Sequence, residues 1–177
     1  MKKYYATLVI FVLSLVFVFT SASTVRAAGL PEIFPVFSSQ DLDGNPVSDS
    51  IFSEKKLTMV NIWTTWCPPC VGEMPDLGNM GRSMPEGAQL VGIVLDAKGP
   101  DDSGTINTAK RILSQARADF LQILPARGMV PVLSWVEAIP TTIFVDSKGK
   151  IVGTPLVGAR NEKSYRAEVE KLLKTMQ

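Results

Sequence analysis

Leu57-Thr58-Met59-Val60-Asn61-Ile62-Trp63, continued by Thr64-Thr65-Trp66-Cys67-Pro68-Pro69-Cys70, is the stretch on which the rest of the chain turns. Its first seven residues are dense in β-branched and aromatic side chains, the pattern of a central strand buried on both faces. Thr64-Thr65 ends that strand. A helix is expected to begin at Pro68, run through Glu73 and bend at Pro75, where the ring removes a backbone donor. This order puts Cys67 at the helix N-cap, where a side chain meets free N–H groups and the positive end of the helix dipole. A thiolate is stabilised there, so the Cys67 pKa is expected to fall below the free value of about 8.5. Pro68 suits the first helical position, and Pro69 removes another donor. The Cys70 N–H is left as the natural partner of the Cys67 sulfur. Cys70, one turn in, is expected to be more buried and to act as the resolving thiol: Cys67 attacks a disulfide, and Cys70 breaks the mixed disulfide that results.

Working outward, Val36 to Val47 reads as a hairpin around Asp43-Gly44. Gln89 to Leu95 is a second buried strand, Lys98 to Gly104 a loop, and Ile106 to Ala118 a helix with Ile106, Ala109, Leu113 and Ala116 on its apolar face. Phe120 to Leu124 is a third strand, and Val130 to Val136 a short helix. Thr141 to Val145 and Lys150 to Thr154 flank the turn Asp146-Ser147-Lys148-Gly149. Asn161 caps a last helix whose apolar positions are Tyr165, Val169, Leu172 and Leu173. Strands that alternate with helices, then an antiparallel pair and a closing helix, predict an α/β sandwich with a central mixed sheet.

The first 27 residues stand apart. Lys2 and Lys3 precede an uncharged apolar run over residues 6–20, and Val25-Arg26-Ala27 places small residues where a signal peptidase reads. The run is shorter than the roughly 20 residues that span a bilayer comfortably. An uncleaved anchor is the rival reading, and both deliver the domain outside the cytoplasm, where disulfides form. Residues 28–35 read as a linker and 36–177 as the domain. Residues 1–27 carry three positive charges and no negative one, so cleavage takes the net charge from +1 to −2. There is no basic excess to neutralise phosphates, so nucleic acid is not an expected partner. The chain has no His and two Cys, too few soft ligands for a tetrahedral zinc site. Val71 stands where covalent haem attachment needs His. A purely structural bridge between Cys67 and Cys70 would close a very short loop and constrain little of the unfolded chain. Redox use of the pair is the reading these residues favour, with no cofactor or metal.

Residues 59–76, with VNIWTTWCPPCVGEMPD at their centre, resemble the TlpA/ResA branch of the thioredoxin superfamily, the extracytoplasmic thiol-disulfide oxidoreductases. The resemblance extends to Asp43-Gly44, Ile139-Pro140-Thr141-Thr142 and residues 146–150, and is weakest between Gly99 and Ala138. It implies a thioredoxin-like fold, with a central mixed β-sheet flanked by helices, an N-terminal β-hairpin and a central insertion. It also implies a cis Ile139-Pro140 bond opposite the cysteines, where sequence alone leaves cis and trans open. Ile139, Pro140 and Thr141 would offer backbone to a substrate peptide, alongside Trp66, Pro68 and Pro69. Glu73 would handle protons at the cysteines, because Asn61 holds the strand position where thioredoxin has a titratable Asp. The plain alternative for Glu73 is a solvated first-turn carboxylate that suits the helix dipole. Trp63 is expected in the core, Trp66 over the disulfide and against the partner, and Trp135 in packing.

The implied activity is protein-disulfide exchange in the reducing direction, for example on apocytochrome c or copper-site cysteines, by a monomer recharged by a membrane thiol-disulfide donor. Two other functions compete. Thr64-Thr65-Trp66-Cys67 contains the T-x-x-C of peroxide-reducing enzymes, but Val60 sits where their motif needs Pro. Two thiolates also suit a Cu(I) chaperone, yet no Met cluster or His accompanies them.

Overall fold

The computed structural model describes residues 29–176; the expected signal peptide or anchor lies outside them. Five strands form the central sheet: β3 (Leu57–Trp63), β4 (Ala88–Val94), β5 (Leu121–Ile123), β6 (Thr141–Asp146) and β7 (Ile151–Val157), in the order β5-β4-β3-β6-β7. β3, β4 and β5 run parallel, while β6 pairs antiparallel with β3 and β7 antiparallel with β6. The sheet is therefore mixed. β1 (Ser38–Gln40) and β2 (Pro46–Ser48) make the N-terminal hairpin, closed by Asp41, whose Oδ1 accepts the N–H groups of Asp43 and Asn45. A further bridge from Asp41 to Ile123 extends it onto the β5 edge.

Every residue of β3 is buried, as its composition requires of a strand covered on both faces. One face packs against α1 (Pro68–Arg82), α2 (Ser103–Ala116) and α4 (Glu162–Thr175), with Leu57, Met59 and Trp63 meeting Met74, Leu77, Ala109 and Val169. The other face meets an aromatic cluster of Phe34, Phe37 and Phe52, with Met129 and with Val132 of the short α3 (Val130–Leu133). The Phe34 and Phe52 rings lie 4.9 Å apart.

Four expectations shift. Part of the segment expected as a linker is docked: Phe34 is 3% exposed, its N–H donates to the Gly149 carbonyl, and Ile33 bridges Lys150. Burying the aromatic ring there outweighs the loop-like composition around it. α2 begins three residues earlier than its apolar stripe suggests, because Asp102 caps it by accepting the Thr105 N–H. Arg117, in the left-handed region at φ 51°, ends it. The helix expected to reach Val136 stops at Leu133, and the last strand runs on to Val157. α1 continues through Pro75 to Arg82, and Asn161 caps α4 by accepting the Ser164 N–H at 2.9 Å.

Gly92 on β4 holds a close approach. A Cβ there would collide with the Gln122 side chain, which crosses β4 so that its Oε1 accepts the Trp63 indole N–H at 2.9 Å.

Candidate active site

The cysteines sit where β3 gives way to α1. Cys67 is the N-cap, with extended backbone, and its sulfur accepts the Cys70 N–H at 3.2 Å. Pro68 and Pro69 fill the first two helical positions, where they forfeit no intrahelical bond. Cys67 and Cys70 are joined as a disulfide with Cα atoms 5.2 Å apart. Cys70 is fully buried and Cys67 is 3% exposed, so the expected order of burial holds by a narrow margin. Trp66, Pro68 and Pro69 form an exposed rim around the pair, with Trp66 at 69% exposure.

The turn before the motif is tied down from β4. Asp96 accepts the Thr65 N–H and, at 2.6 Å, the Thr65 hydroxyl, while Leu95 donates its N–H to the Trp63 carbonyl. Ile139-Pro140 is cis. The Ile139 carbonyl oxygen lies 3.8 Å from Cys67 Sγ. In the disulfide that sulfur carries no proton, so this is a contact. A reduced thiol at the same place has a hydrogen to donate. Thr141 is buried, its hydroxyl donating to the Ala138 carbonyl.

Glu73 is not a solvated first-turn residue. It is 3% exposed, with three donors converging on its carboxylate. Asn61 Nδ2 reaches Oε1 at 2.9 Å, while the Tyr165 hydroxyl and the Arg160 N–H reach Oε2 at 2.7 and 2.9 Å. Burial pushes the Glu73 pKa up, and the bonds from Tyr165, Arg160 and Asn61 pull against it. Tyr165 is raised too, first by burial and then by the neighbouring carboxylate. Asn61 Nδ2 also reaches Thr142 Oγ1 on β6 at 3.2 Å, whereas Asn61 Oδ1 is buried without a partner among the described residues.

Sequence reading missed these partners. Tyr165 was placed on an apolar stripe, although a Tyr there carries a hydroxyl that needs a partner once buried. Arg160 acts through its backbone N–H, which no residue type announces. The loop that carries it also donates the Gly158 N–H to the Pro140 carbonyl at 2.8 Å, so one loop steadies both Pro140 and Glu73. Trp63 is fully buried, as expected. Trp135 is half-buried and borders a hollow with Glu137, Thr141 and Val157.

A family model described as Redoxin matches residues 28–173. The chain belongs to the Redoxin family. It is 30% identical over 132 residues to the thiol:disulfide interchange protein DsbE homolog of Paracoccus denitrificans, covering 72% of this chain and 67% of that protein. It is 30% identical over 114 residues to the thiol-disulfide oxidoreductase ResA of Oceanobacillus iheyensis, covering 64% of this chain and 55% of that one. A thiol:disulfide interchange protein of the thioredoxin family from Chlorobium tepidum superposes with a TM-score of 0.65 at 24% identity, over 80% of this chain and 95% of that structure. The fold is thioredoxin-like. With the close Cys67–Cys70 pair at its centre, this Redoxin chain is a protein thiol-disulfide oxidoreductase of the DsbE/ResA type.

Proposed function

We propose that this protein is an extracytoplasmic reductant of disulfides in partner proteins, acting through Cys67 and Cys70. The observation that carries the reading is Cys67 at the α1 N-cap, its sulfur receiving the Cys70 N–H and facing the Ile139 carbonyl across the site. Free N–H groups and the helix dipole stabilise a thiolate there. In the reduced protein that thiolate attacks one sulfur of the substrate disulfide, and the other leaves as a thiolate that takes up a proton. Cys70 then loses its proton and attacks Cys67 in the mixed disulfide. The second substrate thiol is released, and two electrons have passed to the substrate. In that cycle a Cys67–Cys70 disulfide is the oxidised product.

Trp66, Pro68 and Pro69 on one side and Ile139, Pro140 and Thr141 on the other frame the position of an extended substrate segment. Glu73, one helical turn beyond Cys70, is the candidate for proton handling. A carboxylate beside a thiol disfavours a second negative charge and so raises the thiol pKa. A thiol held protonated resists indiscriminate exchange, because only the thiolate attacks. A dedicated reductant in an oxidising compartment needs that restraint. A membrane thiol-disulfide protein would return the electrons, and apocytochrome c or copper-site cysteines are substrates of the right chemistry for a monomer of this kind.

Trapping tests the assignment. With Cys70→Ser, mixed disulfides with partner proteins accumulate through Cys67; trapping through Cys70 in Cys67→Ser instead reverses the roles. A Cys67–Cys70 potential near the strongly oxidising value of about −120 mV would count against the reducing direction.

A further inference from the structure

We propose that the hollow beside Trp66 is a subsite for one basic side chain, Lys or Arg, of the polypeptide whose disulfide meets Cys67. The proposal rests on the exchange function above and names the feature its substrates share. The hollow has a volume of about 310 Å³, and Thr64, Trp66, Asp96, Glu137 and Ile139 contribute to its wall. It adjoins the reactive sulfur on two sides. Trp66 immediately precedes Cys67, and the Ile139 carbonyl lies 3.8 Å from Cys67 Sγ.

Three properties of the wall point to the same occupant. First, it is anionic without compensation: Asp96 and Glu137 both line it, and no Lys or Arg does. Asp96 is fixed by the Thr65 N–H and hydroxyl. Glu137 is exposed and joins no ion pair among the described residues. Second, Trp66 lies open beside these carboxylates at 69% exposure, and half-buried Leu95, Val136 and Ile139 complete an apolar surface. A cation stacks on an indole face, and the methylene stem of Lys or Arg covers apolar surface while its head reaches a carboxylate. Third, and independently of charge, Thr64 belongs to this wall, and its buried hydroxyl has no hydrogen-bond partner among the described residues. An unmade hydrogen bond is costly, and an ammonium or guanidinium brings donors without acceptors. An aliphatic side chain would cover the indole and leave both carboxylates without a cationic partner. An acidic one would be repelled.

The test uses the reduced full-length protein and three synthetic disulfide peptides, identical except for Lys, norleucine or Glu next to the cysteine. Norleucine keeps the stem of Lys without its charge. The Lys peptide is expected to exchange about three- to tenfold faster than the norleucine peptide, the range an exposed or partly desolvated cation contact spans. The Glu peptide is expected to be slowest. The Lys/norleucine ratio should fall as salt is raised to 1 M, where screening sets in within about 3 Å. It should drop towards one in Glu137→Gln and below one in Glu137→Lys. It should hold in Glu170→Gln, which removes an exposed charge on α4, so that local charge is separated from net charge. Equal rates for Lys and norleucine, or a ratio that survives Glu137→Lys, overturn the subsite and leave the exchange function standing. Failure to reduce every peptide and also hydroxyethyl disulfide overturns the exchange function, and the subsite with it.

Discussion

The two faces of the central sheet are built on different terms. Beneath β3 on one side, Phe34, Phe37 and Phe52 pack with Val60, Ile62 and Ile143 in a mostly apolar layer, where the buried Thr58 hydroxyl is met by Gln89 Nε2 at 2.9 Å. On the other side Asn61, Glu73, Thr142 and Tyr165 are buried among Met74, Leu77 and Val169, and the cysteines sit at the edge of the same layer. The first layer obtains its stability from area removed from water and asks only for fit. The second carries buried polar groups that cost free energy unless each is paired, and even so Asn61 Oδ1 has no partner among the described residues. Under the proposed function, this polar layer is where stability is exchanged for control of a proton.

If this division is right, lesions on the two faces should differ in kind as well as in size. Phe52→Ala removes one of the three rings of the aromatic cluster and is expected to cost about 3–5 kcal/mol in denaturant unfolding. The thiol titration of the cysteine pair should stay where it is; a shifted titration would break the comparison. Tyr165→Phe keeps the ring and deletes one donor to Glu73, for an expected cost of about 1–3 kcal/mol. Unlike the Phe52 lesion, it should also move the pH dependence of exchange, because Glu73 loses a bond that favours its charged form.

Glu73→Gln sharpens the point through linkage. The Glu73 pKa is raised in the folded protein by burial, so between the ordinary carboxylate value and that raised value the folded state holds more protons than the unfolded one. Stability from this group is therefore full below the ordinary value and declines as pH rises through the folded value. Unfolding measured from pH 4 to 8 should show that decline in the wild type and lose it in Glu73→Gln. The same variant should lower the pKa of the cysteine pair, read by thiolate absorbance; an unmoved titration removes the proton-handling role. Smallest in stability is Trp66→Ala, expected within about 0.5 kcal/mol because the ring is exposed. Exchange with protein substrates should slow all the same.

What sequence made legible follows from range. β3, the turn and the start of α1 are specified by neighbours in the chain, so the Cys67 N-cap was readable from Trp63 to Cys70 alone. The expectation of cis Ile139-Pro140 came from resemblance, since a Pro before a strand suits either isomer. The surroundings of Glu73 were not readable. Its donors come from β3, from a loop 87 residues on and from a helix 92 residues on, and no local pattern encodes that convergence. Phe34 was missed for the same reason: Pro31 and Pro35 around it suggest a loop, while its burial is decided by Phe37, Phe52 and the Gly149 carbonyl.

The close approach at Gly92 has a consequence for descent. The Gln122 amide occupies the space a side chain at position 92 would need, and its oxygen is the acceptor for Trp63. Neither position is free to drift alone. A larger residue at 92 displaces Gln122 and strands the indole N–H, while a shorter residue at 122 leaves the same N–H without its acceptor and a void above the glycine. Among relatives, the residues at 92, 122 and 63 should be inherited as a unit: where the glycine is replaced, the amide should be gone, and the tryptophan should have found another acceptor or given way to a side chain that needs none.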